Sequence, residues 1–183
     1  NEVVLSALFD KEGKILDLNI DELEVATPNY DGADMPQFSG FPEQGGYNND
    51  ENHDGKIEGK TADTEDQYLA EFDTWKTKRE RGDSYKLNSG TWASEMDVFE
   101  QLFVGKTVAE VEDWFAKYTD ANGRPLQAEA KSDEDKAKFS ALTDDEKKML
   151  EDVRTGATIS LKDPHGDFIT ALKKAYELRQ PLD

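Results

Sequence analysis

Apolar and polar residues follow three different rhythms along the chain. Residues 3–9 (Val3, Val4, Leu5, Ser6, Ala7, Leu8, Phe9) are strand-like, and from Leu16 to Leu23 apolar and polar positions alternate. The turn between them, Asp10-Lys11-Glu12-Gly13-Lys14, makes the pair an antiparallel hairpin with one buried face. Residues 27–59 lose all periodicity and are rich in Pro, Gly, Asn and Asp, the mark of a long loop-rich excursion. Its aromatics Tyr30, Phe38, Phe41 and Tyr47 argue against simple disorder.

Helical spacing takes over beyond it. Tyr68, Leu69, Phe72 and Trp75 form one stripe of an expected helix over residues 63–79. Trp92, Met96, Phe99 and Phe103 form a second over 91–103. Thr107-Val108-Ala109-Glu110 is a capping box opening a helix through Val111, Trp114 and Phe115 to Tyr118. Thr143-Asp144-Asp145-Glu146 is another, opening a short helix to about Glu151. Residues 120–141 between them are polar, an expected exposed hairpin or insertion. Residues 157–161 form a strand candidate, and a last helix over 167–178 is expected to bury Phe168, Ile169, Leu172 and Tyr176. The pattern implies an α+β fold: a small antiparallel sheet with packed helices, residues 1–183 forming one domain, with terminal strands as neighbours.

Composition narrows the chemistry. Forty-one acidic against 22 basic residues give a formal charge of −19, which disfavours nucleic acid and anionic membrane surfaces. With no cysteine, the chain cannot form disulfides, thiolate nucleophiles or iron–sulfur clusters. Two histidines, His53 and His165, make a histidine-rich metal centre an unpromising expectation. A redox role would therefore require an organic cofactor. No stretch approaches the roughly 18–20 apolar residues of a membrane span, so the expectation is a soluble chain, with any signal segment outside this numbering.

The segment Asp152-Val153-Arg154-Thr155-Gly156-Ala157-Thr158 concentrates the candidate chemistry. Physically it reads as a helix end near Asp152, a small-residue turn at Gly156-Ala157 and a β-branched strand start. The hydroxyl of Thr158 would then be sterically open on rigid backbone. An ordinary helix-to-strand connection accounts for the same residues.

The segment also resembles the Asp-x-x-(Ser/Thr)-Gly-Ala-(Thr/Ser) signature of the FMN-binding domain family, matching it at Asp152, Thr155, Gly156, Ala157 and Thr158. The run from Trp75 through Lys76 and Lys78 to Gly82-Asp83-Ser84-Tyr85 is similar to a segment of that family's lipoprotein branch, which serves Gram-positive extracellular electron transfer. Val104-Gly105-Lys106-Thr107 and the C-terminal Asp167-Phe168-Ile169 resemble it too. The resemblance implies FMN joined to Thr158 as a phosphoester by an FMN transferase that uses FAD and a divalent cation. It implies an electron carrier rather than an enzyme with its own substrate. Such a carrier takes electrons from a membrane quinone-linked donor and passes them to extracellular acceptors or reductases. It would work outside the cell, tethered only by a lipid anchor beyond this chain. Lys76, Lys78 and Tyr85 are then candidate flavin neighbours; the basic residues read equally as a solvated helix end.

Asp50-x-Asn52-x-Asp54-Gly55-Lys56 has the alternating oxygen ligands of a calcium loop, with the Lys56 carbonyl as a fourth ligand, but Thr61 stands where a bidentate Glu belongs. It reads either as a structural Ca2+ site or as an Asn/Asp/Gly-rich turn. Two other functions remain open: a non-redox, calcium-stabilised cell-surface binding module with Thr158 unmodified, and a flavin domain serving a larger reductase.

Overall fold

The computed structural model describes residues 1–26, 35–40, 62, 64–87, 90–163 and 166–181. Its hairpin joins β1 (Glu2–Phe9) to β2 (Ile15–Leu23) antiparallel, pairing Leu5 with Ile20 and Ala7 with Leu18. A register shift between Leu8 and Phe9 bends β1 before the turn. The Asp10 carboxylate closes that turn by accepting from the backbone N–H groups of Glu12 and Lys14. Gly13 has φ +83°, and a Cβ there would meet the Tyr176 hydroxyl at 2.7 Å, so only glycine suits the position. Alternation does what the pattern implies. Val3, Leu5, Ala7 and Phe9 pack on the core, and Val4, Leu8 and Leu16 face outward.

Helices cover the inner face of this small sheet. After it come α1 (Glu65–Phe72), α2 (Lys78–Arg81) and a short antiparallel pair, β3 (Lys86–Leu87) with β4 (Gly90–Thr91). Next are α3 (Trp92–Phe103), α4 (Val108–Tyr118), α5 (Asp133–Ser140) and α6 (Asp144–Gly156). A second short pair, β5 (Lys162–Asp163) with β6 (Gly166–Asp167), leads into α7 (Phe168–Glu177). The architecture is α+β. Met96, Phe99 and Phe103 of α3 are buried against Val111, Trp114 and Phe115 of α4 and Ile15, Leu18 and Ile20 of β2. The Phe103 and Trp114 rings meet nearly edge-on at 5.6 Å.

Four elements differ from the pattern-based expectation, each for a local reason. The helix expected over residues 63–79 breaks after Phe72. Thr77 and Glu80 form a capping box just beyond the apolar stripe and start α2 afresh. Trp75 turns back instead, stacking edge-on with Phe38 and donating its indole N–H to the Gln37 carbonyl at 2.8 Å. The helix expected to stop near Glu151 runs on to Gly156, since nothing before that glycine interrupts it. The strand expected over residues 157–161 does not form, and the terminal strands do not pair. Instead α7 lies along β1, with Tyr176 edge-on to Phe9 at 5.0 Å. Finally, residues 120–141 are only partly an exposed insertion. They open with a tight turn on Asp120 and carry α5, and Leu126 is buried.

The capping box of α6 is tied to α4 by charge. Glu146 is held down to about pKa 2 by the Lys117 ammonium, the Thr143 backbone N–H and the Tyr118 hydroxyl. Its folded pKa lies below the ordinary 4.5, so it stabilises the fold above that value and loses the contribution as pH falls towards 2. Urea midpoints of Glu146→Gln should therefore fall less steeply than those of the parent between about pH 5 and 2. Equal slopes would refute this account.

Candidate functional site

Between the ends of β2, α2, α3 and the segment after α6 lies a hollow of about 350 Å³. The value falls at the small end of the range for ligand pockets, about 300–1,000 Å³. Its apolar floor is Trp92 and Phe168, both buried, with ring centroids 6.3 Å apart. Tyr85 and Leu87 form one wall, and Thr158, Ile159 and Ser160 form another. Arg124 and Thr158 are exposed and so lie at its rim.

Lys78 enters from α2, placed by the Thr77 cap. Its ammonium meets Glu22 at 2.9 Å and Glu24 at 3.1 Å, and stands over the Tyr85 ring at 5.3 Å. Burial acts to lower its pKa. The hydrogen bond to Glu22, with the charges of Glu22, Tyr85 and Glu24, outweighs burial and raises it. The hollow thus holds a fixed cation among carboxylates.

Thr158 owes its position to α3. Gly156 is the last residue of α6, and a Cβ on it would come within 2.8 Å of Val98 Cγ2. Ala157, next in line, is wholly buried. These two small residues let the end of α6 close on α3. There the Glu95 carboxylate accepts from the backbone N–H groups of Thr158, at 2.6 Å, and Ile159, at 3.1 Å. Glu95 takes the place of a partner strand, and the two N–H groups it holds are not available to a ladder. The Thr158 side chain is left exposed, as the small-residue turn implied.

The motif and flavin candidates are therefore dispersed. Thr158, Lys78 and Tyr85 line one hollow. Asp152 and Thr155 sit exposed on α6, Thr155 returning a hydrogen bond to the Glu151 carbonyl at 2.9 Å. Lys76 is apart from the hollow, beside Met35, Asp73 and Ser84 in a separate depression, because the chain reverses between Phe72 and Thr77. Arg79 is engaged elsewhere: it bonds the Ile20 carbonyl, Asp97 and Glu100, and rivets α2 to β2 and α3. Arg81 covers the Tyr85 ring at 4.6 Å. The candidate calcium ligands Asp50, Asn52, Asp54 and Lys56 lie outside the described residues, as do both histidines. Among the described residues no cluster of acids suited to a metal ion occurs.

Spacing alone did not single out Glu95, Glu22, Arg124 or Ser160. Glu95 carried a readable signal, however. It lies three residues after Trp92 and four before Phe99, an acid on the apolar stripe of α3.

Four features of this lining bear on whether it suits a flavin mononucleotide. The lining includes aromatic side chains, a buried cation, an exposed hydroxyl and an exposed arginine at the rim, and an unsatisfied polar atom. The last is the buried Ser160 Oγ, which has no hydrogen-bond partner among the described residues; Ser160 belongs to the hollow's lining.

Comparison with known proteins adds one redox relative. The chain is 42% identical over 195 residues to a chlorophenol reductase of Desulfitobacterium hafniense. The alignment takes in 100% of the chain and 52% of that protein, so the chain spans about half the length of this curated relative. It matches no family model and no solved structure.

Proposed function

We propose that the chain is an electron-transfer flavoprotein, with FMN linked through its phosphate to Thr158 and its ring system in the hollow beneath. The observation that carries this is the position of Thr158. The final hydroxyl of the seven-residue signature is exposed at the rim of a hollow floored by Trp92 and Phe168. Bound there, FMN supplies one- and two-electron chemistry. Tyr85, Trp92 and Phe168 hold the ring system and exclude water. Lys78, paired with Glu22 and Glu24, fixes the charge along one edge, and Arg124 at the rim offsets the phosphate. Covalent attachment suits an exported carrier placed between a membrane quinone-linked donor and extracellular acceptors, since a dissociated cofactor would be diluted away.

A reductase is the second reading, favoured by the relative's name and length. There the same hollow serves as the flavin domain of a larger protein, and chlorophenols are the substrate class. Isolated, flavin-loaded chain that reduces artificial acceptors but not a chlorophenol would favour the carrier.

Attachment itself is tested by intact mass after co-expression with an FMN transferase. The parent should gain one FMN, and Thr158→Ala should gain none. A parent of unmodified mass beside a competent transferase would refute the proposal.

A further inference from the structure

Glu95 is more than a backbone clamp needs. It is fully buried on the core face of α3, and an unpaired carboxylate in such a place is costly. Oε2 accepts both backbone N–H groups and lies 3.4 Å from Thr158 Oγ1. Oε1 is buried and has no hydrogen-bond partner among the described residues. An amide carbonyl or a neighbouring strand would satisfy the same two N–H groups without burying a charge. The surplus is Oε1, while Oε2, which already accepts both N–H groups, is the oxygen beside the exposed hydroxyl.

We propose that Glu95 positions Thr158 for phosphoester formation and accepts its hydroxyl proton. The inference rests on reading Thr158 as the FMN site. In the step, Thr158 Oγ forms a bond to the FMN-side phosphorus of FAD. The bond from that phosphorus to the bridging oxygen breaks, and AMP leaves with that oxygen. The hydroxyl proton passes to Glu95, and nothing is oxidised or reduced. The geometry suits a reaction performed on the folded chain by a second protein. The donor approaches Thr158 from solvent, and the proton acceptor lies beneath it, on the side the transferase cannot reach. The substrate protein therefore supplies part of the chemistry of its own modification.

The test follows FMN attachment by intact mass over time, with purified transferase, FAD and magnesium, across neutral and mildly acidic pH. Glu95→Gln keeps the size of the side chain and an accepting oxygen for the two N–H groups. It should lower kcat about 100-fold or more, leave the KM for FAD near the parent's, and remove the fall in rate on the acid side. A kcat and pH profile equal to the parent's would overturn the proposal. Thermal melting establishes that the variant is folded. If it is not, Glu95→Asp serves instead, keeping the carboxylate but withdrawing it by one methylene. A lowered kcat with the acid limb retained supports the proposal there, and a parental kcat overturns it. A parent that gains no FMN fails at an earlier stage, overturning the assignment of Thr158 itself before any Glu95 variant is compared.

Discussion

Lys78→Ala should cost about 3–5 kcal/mol of folding stability, the range for removing one partner of a buried ion pair. Glu22 is only 3% exposed and Lys78 6%. Without the ammonium, Glu22 and Glu24 would face each other in a poorly solvated hollow. The penalty is dominated by the stranded charge, and the lost attraction is the smaller part. A double variant, Lys78→Met with Glu22→Met, should accordingly recover a large share of the loss, although each change alone is harmful. Chemical denaturation of Lys78→Ala, the two single methionine variants and the double variant forms the measurement, and thermal melting of Lys78→Ala should show a fall on the order of 10 °C. A loss below about 1 kcal/mol for Lys78→Ala would mean that water reaches the pair freely. The hollow would then be a surface dent and a poor host for a flavin ring.

Phe99→Ala should be as harmful for an unrelated reason. Phe99 is wholly buried, stacked on Phe103 at 6.2 Å and edge-on to Trp114 at 6.4 Å. Truncation removes apolar area and leaves a cavity between helices too firmly packed to collapse into it, costing about 3–5 kcal/mol. Phe99→Leu should recover much of this by filling most of the space. A small loss on Phe99→Ala, read from urea unfolding, would show that α3 and α4 are less closely packed than their ring geometry implies. The two experiments separate the core from the hollow, since Phe99 does not line the latter.

How much of this was legible in the sequence depended on whether the determining signal was local. The hairpin was, because alternation and a Gly-containing turn sit within two dozen residues. So were α3 and α4: their stripes are long, and Thr107 with Glu110 announces the start of α4. The Thr77–Glu80 box is equally local, but it directly follows the stripe that ends at Trp75, so periodicity alone does not reveal the break. The strand expected over residues 157–161 failed on a non-local cause. Its β-branched residues favour a strand, but Glu95, sixty-three positions from Thr158, occupies donors a ladder would have used. Of the residues lining the hollow, Thr158, Lys78 and Tyr85 can be picked out in the sequence by type and resemblance. The floor looked like ordinary core, because Trp92 and Phe168 sit at helical spacing, and only the fold shows that they also face a hollow.

On the proposed reading of Thr158 as the FMN site, the small pair Gly156 and Ala157 has a consequence for maturation. Their lack of bulk lets α6 close on α3, and only after that closure do the Thr158 hydroxyl and Glu95 stand side by side. An unfolded or half-folded chain contains the same seven residues but not the same acceptor. Loading would thus act as an inspection step, adding cofactor to copies whose helices have docked and passing over the rest. A loosened contact between Gly156 and Val98 would then show first as unloaded protein, before any change in the chemistry of the hydroxyl itself.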